Sequence, residues 1–163
     1  TGAPMCLTLR HVEVAFIKVS DQRHTVRVER ADGSSESVEL DTRSFLRHDL
    51  AHFAVEVELG LSDGVWGSVA RGGSPSGNGL DGADMALAET LSGPIQTLMR
   101  TGADAAEIHQ AITRVAEEFS SPELADRLHR RLRALVGHWA ATPYGEAMTL
   151  DWPDAPAGHA RAG

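Results

Sequence analysis

The hydrophobic period of this chain changes once, near Asp41, and that change divides what can be built from it. Before it, apolar residues recur every second position, the period of a half-covered strand. Residues 25–30 (TVRVER) and 35–40 (SESVEL) alternate cleanly around Ala31-Asp32-Gly33-Ser34. Aspartate followed by glycine supplies the positive φ of a tight hairpin turn. Val26, Val28, Val38 and Leu40 then share one covered face, with arginines and glutamates on the other. Residues 6–19 are rich in β-branched and aromatic side chains, and their faces switch near Arg10 and His11, as at a bulge. Three antiparallel strands in a meander are predicted.

After Asp41 the period becomes helical. Phe45, Leu46, Leu50, Phe53, Ala54 and Val57 fall at helix spacing from Ser44 to Leu59. Asp41, Thr42 or Ser44 can cap the start, and Gly60 can close the end. The Leu61–Gly67 stretch reads as a turn into a short apolar segment, whose glycines let Trp66 tuck inward. Residues 71–82 (RGGSPSGNGLDG) form a flexible connection or a lid.

Three more helical patterns follow. One runs from about Ala83 to Met99, with Gly93-Pro94 expected to kink or split it. The next spans Asp104 to Phe119 and opens on capping-box spacing between Asp104 and Glu107. The last starts at Ser121-Pro122 and ends at Thr142-Pro143. The fold class is α+β: an N-terminal three-stranded meander packed by a helix, then a mainly helical half. One domain is expected over residues 1–152, with a Pro/Ala/Gly-rich tail at 153–163.

Charge and composition narrow the function. The net charge of −8 disfavours nucleic acid and anionic membrane as partners. No apolar run reaches the roughly 18 residues that span a bilayer, so a soluble protein is expected. Cys6 is the single cysteine; it fits a cytoplasmic location and reads as a buried structural thiol. The chain opens on Thr1 with no signal-peptide pattern, and Thr1 to Pro4 read as an addition ahead of a native Met5. The arginines at 127, 130, 131 and 133 lie near Glu123 and Asp126, as on a solvated face with ion pairs.

The segment richest in chemistry is His48-Asp49-Leu50-Ala51-His52, with Glu56 one turn on. Histidines four apart on a helix lie one above the other, so they can offer two nitrogens to one ion. His48-Asp49-x-x-His52 resembles the His-Glu-x-x-His helix of zinc metallopeptidases, with aspartate one methylene shorter than glutamate. The same residues are similar to a metal motif of a ubiquinone-biosynthesis family, whose glutamate twelve positions after the second histidine is replaced here by Gly64.

The metal reading makes His48 and His52 ligands of zinc or another divalent ion. Asp49 or Glu56 then acts on bound water, with a small-molecule substrate of unspecified class. Glu56 lies about 12 Å of helical rise beyond His48, which suits it better to orienting His52 than to sharing its metal. A third ligand would come from elsewhere: His109, Glu117, His11, His24, Asp81 or Asp84. The competing reading is a non-catalytic binding or scaffold domain. Asp49 and Glu56 would then satisfy structural histidines, and the apolar helical stripes could serve a homodimer.

Overall fold

A computed structural model describes residues 11–76 and 82–153. Cys6, the strand start before His11 with its bend at Arg10, Asp81 and the end from residue 154 lie outside the described residues. Within them the α+β expectation holds, and the meander is present: β1 (Val12–Lys18), β2 (Arg23–Arg30) and β3 (Ser35–Asp41). Val14 faces Val28, Phe16 faces Val26, and Val26 in turn faces Val38 across the strands. The β2–β3 turn takes its positive φ of 84° at Gly33. Asp32 accepts the Ser34 N–H there at 2.8 Å.

The sheet has a fourth strand that sequence reading did not foresee. β4 (Ala147–Trp152) pairs antiparallel with β1, giving the order β3-β2-β1-β4. Met148 and Trp152 alternate inward on it and are buried, with Leu150 packed against the same core. Pairing with a strand so distant in the chain leaves no local turn signal to read.

Helix α1 (Thr42–Leu59) follows β3 directly and lies on the covered face of the sheet. The Asp41 carboxylate accepts the Ser44 N–H at 2.9 Å, and Gly60 closes the helix at φ 66°. This bond to Ser44 holds the Asp41 carboxyl below the usual carboxylate range. A short α2 (Val65–Ala70) sets Trp66 edge-on to Phe16 and Phe53 in the core.

Three longer helices complete the structure: α3 (Ala83–Thr101), α4 (Ala105–Val115) and α5 (Pro122–Ala141). Helix α3 is a single element through Pro94; the split that Gly93-Pro94 could have caused is absent, and Leu91 and Ile95 anchor it on either side. The Asp104–Glu107 capping box forms as read. Helix α4 stops short of Phe119, because Ala116 leaves helical geometry (φ −155°) before a 3-10 turn at Glu117–Phe119. On α5, two of the arginines read as solvated instead reach across to α1. Arg131 Nε lies 2.7 Å and Arg127 Nε 3.1 Å from the carboxylate of Glu58, whose side chain is fully buried. A buried carboxylate needs such partners, and these fix α5 against α1.

No helix among the described residues is long and apolar enough to cross a membrane. Because Trp152 is only 3% exposed at the β1–β4 seam, Trp152→Ala should destabilise the fold by about 3–5 kcal/mol. Urea denaturation measures this as a lower midpoint with an unchanged slope.

Candidate metal centre

His48 and His52 project from the same face of α1, their ring centres 4.5 Å apart. Helix α3 packs across that face and adds a residue that sequence reading missed, Glu89. Its carboxylate lies 3.1 Å from His52 Nε2 and 3.7 Å from His48 Nε2. One ligand atom from each of the three can be chosen so that all lie within 4.8 Å of one another. Glu89 is four residues after Met85 and next to Ala88 of the α3 stripe, at the border between core and solvent. That border position was the available signal; the pairing of α1 with α3 was not.

The outer nitrogens of both rings face carboxylates. His52 Nδ1 sits 3.1 Å from Glu56 Oε2, with both side chains fully buried. His48 Nδ1 sits 3.5 Å from Asp49 Oδ1. A carboxylate on Nδ1 favours the tautomer whose proton is there, which leaves the Nε2 lone pair to point the other way. Both Nε2 atoms therefore aim at Glu89. Two lone pairs and a carboxylate repel one another unless a proton or a metal ion lies between them. Consistent with that, His52 Nε2 is buried and makes no hydrogen bond of good geometry among the described residues.

Glu56 is itself fixed. Its Oε1 accepts the Trp66 backbone N–H at 3.1 Å, so each carboxylate oxygen has a partner. It occupies the outer side of His52, the orienting role that its spacing suggested. Gly64 makes this approach feasible, since a Cβ there would stand 2.1 Å from Glu56 Oε1. Asp49 is also buried, and its Oδ2 has no hydrogen-bond partner among the described residues. The Asp49 carboxylate raises the His48 pKa above the ordinary imidazole value; burial opposes this, and Glu89 adds to it.

The trio grades from interior to surface: the His52 side chain is 0% exposed, His48 35% and Glu89 54%. His48, Asp49 and Glu89 line a cavity of about 250 Å³ whose other walls include Leu40, Phe45, Val65 and Met85. Pro75 and Ser76, from the first part of the glycine-rich loop, close its rim. Arg30 anchors that loop, donating to the carbonyls of Val69 at 2.6 Å and Gly73 at 2.8 Å.

The other described residues considered as a third ligand, His11, Asp84, His24, His109 and Glu117, lie elsewhere. His11 pairs with Asp151 at the β1–β4 seam, and Asp84 accepts the Asp63 N–H. His24 is buried against Thr42 Oγ1, 3.0 Å away. His109 is on α4, and Glu117 is exposed in the 3-10 turn. No family model, curated protein or solved structure matches the chain.

Two outcomes follow. Gly64→Ala should destabilise the protein by about 1–3 kcal/mol, because Glu56 must leave Trp66 N–H or His52; urea melts check this. The second concerns His24, whose pKa burial lowers, with Asp49 and Asp41 pulling the other way. The unfolded chain takes up this proton near pH 6.5 and the folded chain does not, so stability is lost as pH falls from about 6.5 toward the folded value. In denaturation series from pH 7 to pH 5, His24→Phe should show a shallower loss than the wild type.

Proposed function

We propose that His48, His52 and Glu89 bind one divalent cation, zinc being the best match to the ligand set, and that the bound ion serves a small-molecule hydrolase. The observation that carries this reading is the convergence of both Nε2 atoms on Glu89 while both Nδ1 atoms face carboxylates. Two histidines and a glutamate form a three-ligand set that leaves a fourth position for water. Water for that position would reach it from the cavity that His48 and Glu89 line.

An ion held this way lowers the pKa of its water toward about 7. Asp49 lines the cavity, with one oxygen turned to His48 Nδ1, and would be the base, whereas Glu56 is a positioning residue with both oxygens engaged. With an ion held by His48, His52 and Glu89, the metal would supply Lewis-acid activation of water, and Asp49 would accept the water proton and return it to the leaving group.

Elemental analysis after purification without a nickel column, then zinc loading and dialysis, tests the metal. About one ion per chain is expected in the wild type and almost none in His52→Ala or Glu89→Gln. Glu56→Gln should weaken affinity by about 10–100-fold while leaving the ligands in place. Circular dichroism confirms folding of each variant. Absence of metal from the folded wild type would sink the proposal and leave a structural cluster in a scaffold domain. Hydrolysis of p-nitrophenyl acetate should depend on zinc and fall by about 100-fold or more in Asp49→Asn. Metal binding with no zinc-dependent hydrolysis would refute the enzyme and keep the site.

A further inference from the structure

A hollow larger than the metal cavity lies away from it, between α3, the start of α4 and α5. It holds about 590 Å³, within the range that takes a ligand of drug size. Its walls are mainly apolar: Ile95, Leu98 and Met99 from α3, Ile108 from α4, and Leu132 and Val136 from α5. Gly102 and Gly137 line it as well, and a Cβ at either would meet nothing within 4 Å. The space is therefore open rather than filled by neighbouring side chains.

A second hollow of about 230 Å³ shares Met99 and Val136 with the first and continues to α1. Its character is different. Arg43 and Arg47 line it, one helical turn apart, together with Trp139 and Asp21. Neither guanidinium makes an ion pair or side-chain hydrogen bond among the described residues, in a chain of net charge −8. Asp21 already accepts the Tyr144 hydroxyl. Arg133 adds a positive charge to the lining of the larger hollow, while Asp104 is engaged in its capping box.

We infer that the two adjacent hollows, which share Met99 and Val136 as walls, together bind a linear amphipathic anion. Its alkyl chain lies along Leu98, Met99, Leu132 and Val136, and its carboxylate or phosphate head sits between Arg43 and Arg47. The apolar body would cover Val136, which stands 43% exposed in an otherwise apolar wall. Two forked guanidiniums a turn apart match the planar or tetrahedral oxygens of such a head. Its apolar part lies apart from the metal centre, Met99 being ten residues beyond Glu89 on α3, roughly 15 Å along the helix, while Arg47 directly precedes His48 on α1.

Isothermal titration calorimetry with decanoate, decyl phosphate and decanol, in the presence of EDTA, tests this. Both anions should bind at least about tenfold more tightly than decanol, and the better of the two identifies the head group. The double variant Arg43→Gln/Arg47→Gln should cut anion affinity about tenfold and leave decanol unchanged. Gly137→Leu, which the open space accommodates, should weaken all three by about tenfold or more. Equal binding of decanol and decanoate, or anion affinity indifferent to both variants, would overturn the inference. A dimer in sedimentation velocity that Gly137→Leu dissolves would also overturn it, in favour of a second copy as the occupant.

Discussion

The buried carboxylate of Glu56 is the point from which the rest of the structure around the site is organised. A carboxylate withdrawn from water is costly unless its oxygens are paired. One oxygen meets His52 Nδ1 and the other the Trp66 N–H, so a single side chain joins the core of α1 to the start of α2. Helix α2 has no side-chain cap of its own at Gly64, and Glu56 supplies that acceptor from a different helix. Trp66 is thereby held edge-on to Phe16 and Phe53, which connects the site to the sheet. Orientation of the imidazole and packing of the core are one problem with one solution.

The local parts of this arrangement were readable from residue order, and the long-range parts were not. The β2–β3 hairpin announces itself in Asp32-Gly33, and α1 in the shift of apolar period after Asp41, because both are set by neighbours in the chain. His48, His52 and Glu56 share one helix, so their mutual placement followed from 3.6 residues per turn. Glu89 comes from α3, across a packing contact that residue spacing does not encode. The same holds for β4, whose partner β1 begins 135 positions earlier, at Val12. Arg127 and Arg131 illustrate it again: near Glu123 and Asp126 in order, they turn inward to Glu58 because that carboxylate is buried.

Placing two ligand candidates on one helix and the third on another makes the site sensitive to how the helices pack. His52 is immobilised in the core, whereas Glu89 stands on the outer border of α3. A cation drawn to the three would add an attraction between α1 and α3 that apolar packing alone does not provide. By mass action, such an ion stabilises the folded chain by an amount that grows with the logarithm of its concentration relative to the dissociation constant. Stability and occupancy are then linked quantities.

Arg30 bears on the mouth of the cavity. It sits at the end of β2, where the hairpin begins, and its guanidinium reaches 43 residues along the chain to the carbonyl of Gly73. Pro75 and Ser76 follow two and three positions later and form the rim over His48 and Glu89. The described start of the loop that lines the cavity is thus tied by Arg30 to the β2–β3 hairpin. One wall beside His48 thereby takes its position from the sheet, through a guanidinium at the end of β2.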